Sequence, residues 1–184
     1  FNLGIMLQTL ENHQKAKSCF EKVIKLNPSY VGAYNNLGNT FRILGDNQKA
    51  KSCFKKVIEL NPGYVGGYSN LGNMHKILNE FHESRSCFEK AIQINPNYAD
   101  AHFNLGCMFM TSGEDRQAKK CFERVIEINS NWASAYWNLY TLSQNIDEAL
   151  MRLNQFDKIN NNFTQCKIMA SALRLIKETL ITLT

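Results

Sequence analysis

Apolar residues recur at three- and four-residue spacing through Tyr34, Leu37, Phe41 and Leu44, the spacing of one face of a helix. The pattern breaks at Gly45-Asp46 and resumes through Ala50, Phe54, Val57 and Ile58. Asn61-Pro62 then closes it, because a proline disfavours helix at the residue before it. The pattern predicts two helices joined by a tight turn.

The same hairpin is written again over 65–98, with about half its positions identical to 31–64 and no gap. The second copy turns at Asn79-Glu80. A third copy covers 99–132, with Gly113 in the turn and Ser130 where proline stood. Residues 1–30 hold most of another: Leu3-Gly4, Ala16, Phe20 and Asn27-Pro28 fall in register, and its leading helix is expected to be short. Residues 133–161 decay. Ala135, Tyr136, Asn138 and Leu139 keep the frame, Tyr140 replaces glycine, and the turn is three residues shorter. Asn145 is the expected N-cap of the helix beginning near Ile146, with Asp147 and Glu148 favourable in its first turn. Asn160 to Asn162 read as a turn. Residues 162–184 are expected to give a capping or junction helix, with Ile168, Leu173, Ile176, Leu180 and Leu183 facing inward. The chain begins at Phe1, inside a repeat, so its natural N-terminus is expected to lie further upstream.

Leu37-Gly38, Gly45, Ala50, Phe54, Ile58 and Pro62, with their counterparts at an interval of 34 residues, resemble the tetratricopeptide repeat signature. The resemblance is strong over 1–132 and weak over 133–161. It implies an all-α fold: an alpha-alpha superhelix, that is, a right-handed solenoid of antiparallel helix pairs, closed by the C-terminal helix. It also implies that first helices line a concave face and second helices a convex one.

The packing residues explain themselves. Glycine inside a helix costs about 1 kcal/mol against alanine, yet Gly38, Gly72 and Gly106 recur there. The expected compensation is a ring, Phe54, Phe88 or Phe122, that fits only where the facing helix has no side chain. Ala50, Ser84 and Ala118 are expected to permit the same close approach.

Other residues recur without a packing reason. Asn2, Asn36, Asn70, Asn104 and Asn138 stand one per repeat, and Asn39 and Asn73 form a second row. Asparagine is a poor helix former, and its amide both donates and accepts, which suits an extended peptide backbone. The row resembles the asparagine ladder by which the superhelix of the protein O-linked N-acetylglucosamine transferases holds peptides. The competing reading is that each amide caps a neighbouring backbone group. Arg42 and Lys76 make the early groove basic, while Phe103, Met110 and Trp137 make the later groove apolar. The expected ligand has an acidic or polar segment followed by a hydrophobic anchor, unless Trp137 packs on the C-terminal helix instead. The candidate groove set is therefore Asn36, Asn39, Arg42, Asn70, Asn73, Lys76, Phe103, Asn104, Trp137 and Asn138. Asn35 and Ser69 stand where some relatives carry clamp lysines for chaperone C-termini, which argues against that ligand.

Composition narrows the function class. Net charge is +5, but Lys49, Lys51, Lys55 and Lys56 read as a solvated helix face, so no specific nucleic-acid partner is expected. No apolar run is long enough to span a bilayer. Cys19, Cys53, Cys87 and Cys121 share one register. Stacked helices sit about 8–10 Å apart, whereas a disulfide needs Cα atoms within about 7 Å. The cysteines therefore read as small buried residues, and free thiols in this number favour a reducing, cytoplasmic setting. His13, His75, His82 and His102 lie on different segments, with His75 at the site of Phe41 and Phe109 and read as packed. No catalytic, cofactor or metal-binding constellation is present, so the chain is expected to be a scaffold and not an enzyme. Two alternatives stay open: the recognition segment of a longer glycosyl-, sulfo- or methyltransferase, and self-association through the end repeats.

Overall fold

A computed structural model describes residues 1–143, 145–159 and 164–182, with side chains described only for 169–178 of the last helix. The described residues form helices α1 (Asn2–Thr9), α2 (His13–Leu26), α3 (Val31–Ile43), α4 (Asn47–Leu60), α5 (Val65–Ile77), α6 (Phe81–Ile94), α7 (Ala99–Thr111), α8 (Asp115–Ile128), α9 (Ala133–Thr141), α10 (Ile146–Ile159) and α11 (Thr164–Thr182), with no strand among them. They gather into two compact units, Phe1–Pro96 and Asn97–Thr184.

In the first unit each odd-numbered helix pairs with the even one after it, and each even one packs on the next odd one. Phe20, Phe54 and Phe88 are fully buried at the heart of the pairs. The glycine expectation holds in geometry. A Cβ built on Gly38 would lie 2.7 Å from Cε1 of Phe54, and one on Gly4 or Gly72 would meet Phe20 or Phe88 at 2.7 and 2.8 Å. Ser84 is fully buried and donates to the Gly72 carbonyl at 2.8 Å, so its hydroxyl is satisfied against the same bare stretch of α5.

The turns share one solution. Asp46 N–H donates to the Phe41 carbonyl at 2.9 Å and Gly45 N–H to that of Arg42 at 3.1 Å, which is the Schellman closure of α3. It requires a left-handed residue, Gly45 at φ +81°. Glu11 (φ +56°) and Asn79 (φ +60°) occupy the same position without being glycine. Asn12 and Asp46 accept from the backbones of Lys15 and Lys49 and cap the following helices. Glu80 does not, because its carboxylate is engaged elsewhere: Lys51 Nζ reaches it at 2.5 and 2.7 Å, and His75 Nδ1 lies 2.5 Å away. Lys51 is only 15% exposed, so it is an interhelical tie and an exception to the solvated lysine face read from sequence. His75 is buried as expected. The Asn-Pro corners are Asx turns: Asn27 Oδ1 accepts from Ser29 N–H and Asn61 Oδ1 from Gly63 N–H.

The second unit repeats this chemistry in α7 and α8, where a Cβ on Gly106 would stand 2.8 Å from the buried Phe122 ring. Asn129 forms the Asx turn with Asn131 although Ser130 has replaced proline. Asn145 caps α10 by accepting from Glu148 N–H at 2.8 Å, as expected. Tyr136, Leu153, Phe156 and Ala170 close a small core on which Trp137 and Leu173 pack. Ile176 corrects the inward reading of α11, being 50% exposed beside the more exposed Leu175. Leu183, the Asn160–Asn162 turn and the side chains of Ile168 and Leu180 lie outside the described residues.

Candidate peptide-binding face

The candidate face is built from first helices, whose small buried residues bring neighbours close enough for polar side chains to meet across them. In the first unit Gln8 of α1 donates to the Asn36 carbonyl at 3.2 Å and to Thr40 Oγ1 at 2.7 Å on α3. Asn70 Nδ2 of α5 donates to Asn35 Oδ1 of α3 at 3.0 Å. These bonds set α1, α3 and α5 side by side.

The amides then divide by what they touch. Asn36, Asn39 and Asn73 are part-buried, and their side chains bond to no other described residue. Asn70 is linked to Asn35, which leaves its own Oδ1 as an acceptor. Arg42 is exposed, and its guanidinium has no carboxylate or amide partner among the described residues. Arg42, Asn70, Asn73, Lys76 and Ile77, with Phe54, line a pocket of ≈ 340 Å³ between α3 and α5. The structure thus brings the sequence-predicted Arg42, Asn70, Asn73 and Lys76 to one place and leaves Asn36 and Asn39 on the same helix as Arg42. Asn2, first of the row, is exposed at the start of α1.

The second unit differs. Asn104 Nδ2 turns back to the Asp100 carbonyl of its own helix at 2.9 Å. Asn138 Nδ2 approaches Cys107 Sγ at 3.9 Å. Asn104 thus bonds to a backbone group, as in the competing reading, while Asn138 meets a side chain. Phe103 stacks on Trp132 at 5.4 Å between centroids and meets Phe122 edge-on at 5.6 Å. Trp137 packs against Tyr140 at 5.3 Å and Phe156 at 5.4 Å. Trp137 is thus packed on α10, whereas the sequence weighed a place in the groove against packing on the C-terminal helix. Met110 receives a long contact from Thr141.

Sequence reasoning missed two apolar members of the first unit's face. Ile43 and Ile77, each one residue beyond a groove cation, are 50% and 48% exposed. Their signal was available: isoleucine at the same register in two copies, out of phase with the buried set.

The electrostatics agree with an open, cationic face. None of α1, α3 and α5 contains an acidic residue. The first unit carries twelve Lys and Arg against seven Asp and Glu, whereas the second has nine of each, so the net +5 belongs to the first. No group of His, Cys, Asp and Glu among the described residues is arranged to hold a metal ion. No described helix is long and apolar enough to cross a membrane. Cys53 and Cys87, on second helices, have thiols pushed up to about 11 by burial, which marks them as packing residues and not nucleophiles.

Models of the tetratricopeptide repeat match residues 1–30 and 31–64, and again 99–132, while a TPR repeat model matches 72–113. Among solved structures, pilF of Pseudomonas aeruginosa is 19% identical with a TM-score of 0.85, covering 96% of this chain and 82% of its own. TTC0263, a thermophilic TPR protein of Thermus thermophilus, is 22% identical with a TM-score of 0.69, covering 95% and 96%. YrrB, a TPR protein with an unusual peptide-binding site, is 21% identical with a TM-score of 0.70, covering 93% and 89%. At these identities the likeness is one of fold. Comparison with the curated proteins gives no significant match.

Proposed function

The chain belongs to the tetratricopeptide repeat family, whose repeats support a protein-interaction scaffold, and we propose that its first unit holds an extended peptide segment of a protein partner along α1, α3 and α5. The observation that carries this reading is the set of part-buried amides without a partner among the described residues, Asn36, Asn39 and Asn73. A half-buried amide loses part of its hydration, and folding normally returns that as a bond within the protein. Here the amides keep contact with water, which a peptide backbone can replace. An extended backbone offers alternating N–H and C=O groups, and a carboxamide pairs with either. Asn70 belongs to the same row and presents an acceptor beside them.

The second unit contributes less to this reading, because Asn104, Phe103 and Trp137 are occupied by their own packing. The main-chain mode suggested by the resemblance to transferase superhelices is accordingly proposed for Asn36, Asn39, Asn70 and Asn73.

The test is a peptide-array and pulldown comparison of the wild type with the Asn36→Ala/Asn70→Ala/Asn73→Ala variant, whose helicity and melting are checked by circular dichroism. Loss of capture by a folded variant is the expected result. Undiminished capture removes the asparagines from the mechanism.

A further inference from the structure

We propose that the pocket between α3 and α5 is a subsite for a carboxylate side chain of an acidic peptide, with an aliphatic residue of the same peptide resting on Ile43 or Ile77. The inference rests on the groove reading above and adds the chemistry of the residue that is recognised. Four observations converge on it. Arg42 lines the pocket without a counter-ion among the described residues. The face around it has no acidic residue on any of its three helices, which limits the like charge an arriving anion meets there. The net positive charge of the chain is confined to this unit, which favours approach of an acidic segment. Finally, Ile43 and Ile77 leave apolar surface in water directly beside the two cations of the face.

The parts fit one ligand chemistry. A guanidinium presents its N–H groups as a planar fork that matches a carboxylate through two parallel bonds. The Asn73 amide supplies a further donor, and Asn70 keeps an acceptor for the peptide N–H next to the acidic residue. The pocket, at ≈ 340 Å³, has room for an Asp or Glu side chain together with its own backbone.

The experiment is fluorescence anisotropy with short labelled peptides in a Ser-Gly background. One alternates Glu and Leu, a second has Gln in place of Glu, and a third has phosphoserine in place of Glu. The proteins are the full chain, Arg42→Gln, Asn36→Ala/Asn73→Ala, and Lys55→Gln, which makes the same charge change on a second helix. The Glu peptide is expected to bind about tenfold more tightly than the Gln peptide. Arg42→Gln should abolish that preference, Lys55→Gln should keep it, and added salt should weaken it. Equal affinity for Glu and Gln peptides overturns the subsite, as do equal effects of Arg42→Gln and Lys55→Gln, or a preference for phosphoserine. If in those cases Asn36→Ala/Asn73→Ala still weakens the Gln peptide, the groove reading survives alone. If no peptide binds, or the asparagine variant changes nothing, both readings fall.

Discussion

Replacing Gly38 by alanine sets two known effects against each other at one atom. Alanine removes the conformational cost of glycine in a helix, which favours the variant by up to about 1 kcal/mol. Its Cβ would stand 2.7, 2.9 and 3.1 Å from three carbons of the Phe54 ring, closer than carbons pack. The ring is fully buried, so it has no solvent to move into. Such overpacking costs about 1–3 kcal/mol, and the variant should be less stable by about 0–2 kcal/mol. Gly32 provides the control on the same helix, because its Cβ would meet only ordinary contacts at 3.4 Å and beyond. Gly32→Ala should therefore be neutral or stabilising by up to about 1 kcal/mol. Urea titrations followed by circular dichroism, with the slope checked for constancy, give both numbers. Gly38→Leu should be at least as destabilising as alanine, and Phe54→Ala should cost about 3–5 kcal/mol through the cavity it leaves. Phe54→Leu removes the ring that the new methyl meets, so in that background Gly38→Ala should lose its penalty. The reasoning is refuted if Gly38→Ala stabilises as much as Gly32→Ala, or if the two substitutions are additive.

Other outcomes follow from the turns, the buried tie and the thiols. Glu11 adopts a left-handed conformation that glycine tolerates better, so Glu11→Gly should raise stability by about 1 kcal/mol in the same titration. Glu80 is held below the ordinary carboxylate value of 4.5, first by the Lys51 ammonium and then by His75. A carboxylate lowered on folding stabilises the fold above its unfolded value, and that contribution is lost as pH falls through the folded value. The stability difference between wild type and Glu80→Gln should therefore be largest near neutrality and shrink as pH drops below about 4.5; a difference independent of pH contradicts the tie. Cys53 and Cys87, with thiols raised to about 11 by burial, should resist iodoacetamide at about pH 8 in the native protein and react once it is unfolded. Rapid native labelling at either position, read by peptide mass, counts against the packing described.

The hairpins and the glycine-phenylalanine pairs were legible because each is a statement about one repeat, written several times. A glycine on a helix opposite a recurrent phenylalanine can mean little else once the register is known, and the Gly38 and Phe54 geometry is what that pairing implies. What the sequence hid depends on the offset between neighbouring helices, which periodicity does not specify. Asn70 and Asn104 are the same letter at the same register, yet one reaches Asn35 on the preceding first helix and the other folds back to Asp100. Glu80 looks like the caps Asn12 and Asp46, but Lys51 and His75 draw its carboxylate away. Trp132, which continues the row of turn aromatics Tyr30, Tyr64 and Tyr98, takes the face of Phe103 that the sequence had offered to a ligand. Ile176 was assigned inward by spacing alone, where the last helix has fewer neighbours than spacing assumes.

The central claim is that a partner segment lies along α1, α3 and α5 and bonds to their carboxamides. The most direct measurement is a titration of the isotope-labelled protein with the Glu-Leu peptide, following the side-chain NH₂ resonances by NMR. The account predicts that those of Asn36, Asn39, Asn70 and Asn73 shift together, along with Arg42 Nε–H, while Gln14 and Gln48 on the second helices stay still. Shifts confined to α2 and α4, with the four asparagines unmoved, contradict it.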